Sequence, residues 1–191
     1  MKNQRTDNSE SDIKIGVRLS ALDSIIDKDE ICVLDAFHGK GFLWDKIKGN
    51  TDAKLIVHGI EKEKGKASNV FEGDNRKVIP RLDLSTYDII DLDSYGTPFD
   101  QLKAVFGNST CKGRIVIYTY IITAQGSSNK KMLEAVGITK AMYRKAPLLC
   151  SSKQILAFYN LLWYNNVNRV YETYKQKGTS KKRYGWFRIP E

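Results

Sequence analysis

Two short patterns in this chain carry residue types whose spacing could do chemistry. The first is Asp35-Ala36-Phe37-His38-Gly39-Lys40-Gly41, a carboxylate followed by two glycines one residue apart. The second is Asp91-Leu92-Asp93-Ser94-Tyr95-Gly96, two carboxylates at i and i+2 and then an aromatic ring. Glycine has no Cβ and takes positive φ freely, so the first pattern lets the backbone turn sharply and lie against a ligand. An acid inside that turn suits a ligand carrying positive charge rather than a pyrophosphate. In the second pattern, alternate residues of an extended strand point the same way, which puts Asp91 and Asp93 on one side. Their mutual repulsion needs an offsetting partner, which stability alone hardly explains. With Tyr95 as a flat surface beside them, the acids could hold a planar base that bears an amino group.

The flanking segments supply the elements that would position these groups. Ile31-Cys32-Val33-Leu34 is a short apolar run without polar alternation, as expected of a strand buried on both faces, and Phe42 to Lys48 resumes with helical spacing. Strand, glycine loop, helix is the layout of a nucleotide site at the carboxyl edge of an open parallel sheet. The third glycine of a dinucleotide fingerprint is replaced by Trp44, which disfavours NAD, and no Gly-x-x-x-x-Gly-Lys-Ser/Thr loop exists. S-adenosylmethionine, a sulfonium with an ammonium group, fits the acidic turn.

Further strands are expected at Leu55 to Glu61, Val70 to Asp74, Tyr87 to Leu92 and Lys112 to Thr123. Glu61 ends its strand twenty positions after Gly41, where an acid would grip a ribose diol. On its own, Glu61 reads as a solvated charge at a strand end. Short helices are expected near Lys64 to Val70, Asn75 to Leu84, Phe99 to Phe106 and Ser127 to Ala135, with an amphipathic helical stripe from Val17 to Ile26. Ala146 to Cys150 suggests a sixth strand. A long helix over about 152–177, capped by Ser151 or Ser152 and stopped at Gly178, follows from Leu156, Tyr159, Trp163, Val167, Val170 and Tyr174 at steps of three and four. That face reads as packing on the sheet, with a homodimer contact as the alternative. Arg183 to Ile189 alternates as a closing, antiparallel strand.

At 191 residues the chain is sized for one domain: residues 1–12 as a disordered segment and 13–191 as the folded unit. Cys32, Cys111 and Cys150 lie far apart without metal-ligand spacing and read as thiols in a reducing compartment; no metal is expected. There is neither an apolar leader nor a bilayer-length apolar stretch, so no membrane is expected and a cytoplasmic location follows by default. Net charge is +9, and the stretch from Lys153 to Glu191 holds eight Lys or Arg against two Glu. Such a tail attracts polyanions, although a basic surface is more often a solubility feature. Tyr184, Trp186 and Phe187 among those cations could stack bases, or could simply be the core side of the last strand.

Taken in order and spacing, Asp35-x-Phe37-x-Gly39-x-Gly41, Glu61, Asp74 and Asp91-Leu-Asp93-Ser-Tyr95-Gly96 resemble the motifs of class I S-adenosylmethionine-dependent methyltransferases, and among these the tRNA guanine-N2 dimethyltransferases. The resemblance covers about residues 31 to 100. It implies a Rossmann-like fold, a mostly parallel seven-stranded sheet with helices on both faces. It also implies methylation of an exocyclic amine in RNA, ahead of DNA, with the basic C-terminal region holding the nucleic acid; the alternatives are a methyltransferase acting on a small molecule or protein, or a subunit of this fold that binds nucleic acid without turnover. Asp35, Phe37, His38, Gly39 and Gly41 would face the methionine end of the cofactor together with Asp91, Glu61 its ribose, and Asp74 with Asn75 its adenine. Asp93 would accept hydrogen bonds from the target amine and Tyr95 would stack on the base. Neither His38 nor His58 is assigned the role of a base. Two departures stand out: Ser94 replaces the family's proline, and the large C-terminal domain of the tRNA enzymes is missing.

Overall fold

Each parallel strand of this chain ends at the same rim, and that rim collects the acids. In a computed structural model describing residues 10–62, 69–94, 96–123, 138–177 and 180–191, β1 (Glu30–Asp35) pairs in parallel with β2 (Lys54–Glu61) on one side and β4 (Ile89–Leu92) on the other. β3 (Val70–Glu72) extends the sheet beyond β2, and β5 (Ile115–Thr123) beyond β4, again in parallel. β7 (Ser180–Arg188) lies antiparallel to β5, and β6 (Tyr171–Lys177) antiparallel to β7. The order is therefore β3-β2-β1-β4-β5-β7-β6. Ser180 pairs with Thr123, so β7 begins at the end of the sheet where Asp35, Glu61 and Leu92 lie.

Helices cover both faces because strand residues alternate. Ile31, Val33, Ile89, Ile115 and Ile117 meet α1 (Ser11–Asp23) and α2 (Phe42–Ile47) through Ala21, Leu22, Trp44 and Ile47. Leu34, Ile90, Leu92, Val116, Tyr118 and Tyr120 point to the other face. There they meet α4 (Phe99–Phe106), through Phe99, Leu102 and Val105, and the long helix Pro147–Tyr164, through Phe158 and Leu162. Among the described residues there are two further short α-helices, α3 (Asn75–Val78) and α5 (Lys140–Lys145), which makes Pro147–Tyr164 α6.

Several expectations need correction. The helix read over 152–177 is two elements: α6 ends at Tyr164, and Tyr171–Lys177 is the strand β6. Asn165 caps α6 and Asn166 takes φ 59°, a left-handed turn that no continuing helix adopts. Of the residues at that spacing only Tyr174 lies in β6, where it pairs with Arg183 of β7; Val167 and Val170 fall between α6 and β6. Ala146 to Cys150 is not a strand; α6 begins at Pro147, where a missing N–H costs nothing. Helix α1 starts at Ser11, inside the segment read as disordered. The helix expected at Ser127 to Ala135 and most of the segment after Glu61 lie outside the described residues.

Candidate functional site

The glycine turn leaves β1 at Asp35, which is buried at the sheet rim. Its carboxylate accepts from the Phe37 N–H at 3.2 Å and meets His38 Nδ1 at 3.3 Å. That contact with Asp35 holds the His38 imidazole above its ordinary pKa, against the opposing effect of burial. Gly39 and Gly41 both take positive φ, 55° and 74°, the conformation for which glycine is suited. Gly39 N–H donates to Glu61 Oε2 at 3.0 Å, so the ends of β1 and β2 are joined through the loop.

Asp91 and Asp93 project onto the face covered by α1, on the same side as Asp35, with which Asp91 is in register. Their offsetting partners come from α1. Arg18 Nε donates to Asp91 Oδ2 at 2.8 Å, Arg18 Nη2 lies 3.3 Å from Asp93 Oδ2, and Lys14 Nζ lies 2.8 Å from that same oxygen. Trp44 Nε1 also donates to Asp91 Oδ2, at 2.9 Å. The tryptophan that spoils a dinucleotide fingerprint is thus a donor to the site. Arg18 is only 2% exposed. Burial works against its charge, but Asp91, Asp93 and Asp35 outweigh it and raise its pKa. Burial pushes Asp91 up to about 7, against the pull of Arg18 and with Asp35 and Asp93 adding to the rise, whereas Arg18 and Lys14 overcome burial and lower Asp93. Asp91 Oδ1 and Asp93 Oδ1 are buried without a hydrogen-bond partner. Three acids against two cations, with two orphaned oxygens, fit a ligand that brings N–H donors and positive charge.

Lys14 and Arg18 escaped the sequence reading. Their signal was an i, i+4 pair of cations at the start of the helical stripe, which places both on one helical face.

The other expected residues are distributed unevenly. Asp74 caps α3 by accepting from Arg76 N–H at 3.1 Å, and Arg76's guanidinium holds its carboxyl well below the usual range. Asn75 is buried; its amide donates to the Ala36 carbonyl at 2.8 Å and accepts from Gln101 Nε2 at 2.9 Å. It ties the glycine turn to α4 and so acts on the turn through structure. Tyr95 lies outside the described residues. Beside it, Ser94 is buried, its N–H bonds Leu92 O at 2.7 Å, and Gly96 O accepts from Ile121 N–H at 2.8 Å.

Tyr184, Trp186 and Phe187 are buried in the sheet, so the core alternative holds for them and they are not a base-stacking surface. Tyr174 on the same hairpin is an exposed ring, with Lys181 Nζ 3.5 Å over its centroid. It sits with Lys175, Lys182 and Arg183 on the β6–β7 hairpin, at the same end of the sheet as the acids.

No family model matches the chain, and no curated protein matches it in sequence. Solved structures do. The TYW2 protein of P. horikoshii, solved in complex with MeSAdo, superposes with TM-score 0.53 at 16% identity over 94% of this chain. This chain spans 63% of that protein's length. A geranyl diphosphate methyltransferase in complex with SAM gives TM-score 0.57 at 9% identity, over 94% of this chain and 85% of the other. A SAM-dependent methyltransferase from Archaeoglobus fulgidus gives 0.51 at 9%, over 92% and 94%. The chain therefore has the Rossmann-like fold of class I methyltransferases, a mostly parallel sheet closed by one antiparallel hairpin. Among the described residues, no helix is long and apolar enough to cross a membrane.

Proposed function

We propose that this chain is an S-adenosylmethionine-dependent methyltransferase acting on the exocyclic amine of a nucleic-acid base, RNA ahead of DNA. The observation that carries it is the pair of buried, partnerless oxygens on Asp91 and Asp93 beside the glycine turn. The neighbours of like fold include a protein solved with SAM and TYW2, solved with MeSAdo, which supports the cofactor.

On this reading the turn from Asp35 to Gly41 and Asp91 take the methionine end, and Glu61 takes the ribose. Asp74, held by Arg76, lines the adenine end. Bound there, S-adenosylmethionine supplies an electrophilic methyl group. The chain's own contribution is to the acceptor. An aromatic amine is a poor nucleophile because its lone pair is delocalised into the ring. Asp93 accepting its N–H bonds localises that pair, and a fixed, buried acceptor does so better than water. Holding the amine in place supplies much of the remaining rate. The basic hairpin with Tyr174 offers phosphates an electrostatic seat and a neighbouring base a stacking ring.

Isothermal calorimetry with S-adenosylmethionine tests the cofactor, and methyl transfer to total RNA tests the acceptor. Binding on the order of micromolar, lost in Glu61→Ala, supports the reading. Asp93→Asn should keep that binding and lose transfer. No binding by the folded chain sinks it. The ion pairing of both acids favours a second reading, a fold that binds nucleic acid without turnover, for which transfer would be absent in the wild type as well.

A further inference from the structure

Asp93 already holds an ammonium. Lys14 Nζ is 2.8 Å from its Oδ2, with side-chain exposures of 14% and 8%. If Asp93 receives the acceptor amine, as proposed above, Lys14 stands on one of the two oxygens that would receive it, Oδ2, and leaves Oδ1 alone without a partner. A protonated amine has no lone pair, so it fills the place without reacting.

The turn of helix that carries Lys14 is also held by Arg18 Nη1 donating to the Lys14 carbonyl at 2.9 Å and by Ile15 and Val17 packing on the core, but its N-terminal end is weakly capped. Glu10, its N-cap, takes φ 69° and makes no side-chain capping bond. For a residue with a Cβ that conformation is unfavourable. The Glu10 carboxylate instead pairs with Lys175 on β6. Two ion pairs, Lys14 with Asp93 and Glu10 with Lys175, thus fasten the first turn of α1 between the acids and the basic hairpin.

We propose that Lys14 determines acceptor specificity: it closes Asp93 and yields it only to an acceptor that brings an amine for Asp93 together with phosphate for Lys14 and Lys175. That describes a nucleotide within a polynucleotide. An amine alone would evict Lys14 and leave a partly buried cation unpaired, which is costly. An acceptor with flanking phosphates exchanges the ion pairs instead of breaking them, and Lys175 released from Glu10 frees the turn to move.

The test uses the full chain with a fluorescein-labelled, single-stranded RNA of mixed sequence, read by anisotropy, and hydrogen exchange over residues 11–18. Saturating RNA should speed exchange in the first turn of α1 roughly tenfold, while guanosine and adenosine should leave it unchanged. Lys14→Gln should exchange fast there without RNA, and its preference for RNA over the nucleosides should fall roughly tenfold. Lys14→Arg, which keeps the pair, should behave as wild type. RNA binding with no change in exchange would overturn the role of Lys14 and leave the nucleic-acid reading standing. No RNA binding by wild type or by Lys14→Gln, with S-adenosylmethionine present, would overturn both. A methyl group found on Lys14 after incubation with S-adenosylmethionine would also overturn it, making that lysine an acceptor.

Discussion

Arg18 Nε lies 2.8 Å from Asp91 Oδ2, although 73 positions of sequence separate them. Helix α1 delivers a guanidinium over the rim of the sheet, and without it two acids would face each other in a buried setting. Removing one partner of a buried pair leaves an uncompensated charge, so Arg18→Met should lose about 3–5 kcal/mol of stability. Urea denaturation checks this. The double variant Arg18→Met with Asp91→Leu should recover much of the loss, since neither charge then remains.

Asp91 titrates near neutrality, pushed up to about 7 by burial. A cationic cofactor prefers the ionised acid. Below pH 7 its dissociation constant should rise about tenfold per unit, and Asp91→Asn should flatten the profile. Calorimetry between pH 5.5 and 8.5 reads this. The sign for folding is opposite. A carboxyl raised in the fold contributes stability that is fully present below about pH 4 and is lost as pH rises through about 7. Wild type should therefore lose more thermal stability than Asp91→Asn on going from pH 6 to pH 8.

Gly59 sits under the His38 ring, where an added Cβ would meet Cγ at 2.4 Å. Gly59→Ala should displace His38 from Asp35 and cost about 1–3 kcal/mol. The imidazole pKa, followed by NMR, should fall back toward its ordinary value because the Asp35 contact that raises it is lost.

Asn75 links Ala36 O to Gln101. Asn75→Ala leaves a buried carbonyl and a side-chain amide unpaired, so a loss of about 1–3 kcal/mol is expected. Cofactor affinity should weaken as well, because the turn loses its tether. Gln101→Ala, further from the turn, should show a smaller version of both effects.

On the hairpin, Lys181→Glu with Lys182→Glu should weaken RNA binding and lower the slope of log affinity against log salt by about 1–2. Cofactor binding should be unchanged. An unaltered salt slope would move the nucleic-acid surface elsewhere.

Local chemistry made much of the parallel half legible. Val33-Leu34-Asp35 could only be a buried strand, Gly39 and Gly41 could only turn, and the acids at 35, 61, 74 and 91 had to fall at strand ends once the strands were placed. The hairpin half was less legible. Tyr174 continues the helical period of the preceding residues, and only pairing with β7 made it part of a strand. Burial was decided in the same way, since Trp186 and Tyr174 are both aromatics among cations, yet one packs into the sheet and the other stands exposed.

The sequence by itself determined the class of site: a glycine turn with an acid, a second acid pair, and a basic end to the chain. What only the tertiary structure decided is the state of that site. An acid pair announces that it needs a counter-charge, but not where the charge comes from. Lys14 and Arg18 are ordinary helix residues until packing lays one face of α1 over β4. Electrostatic pairing depends on distance in space, and distance in space is set by the fold.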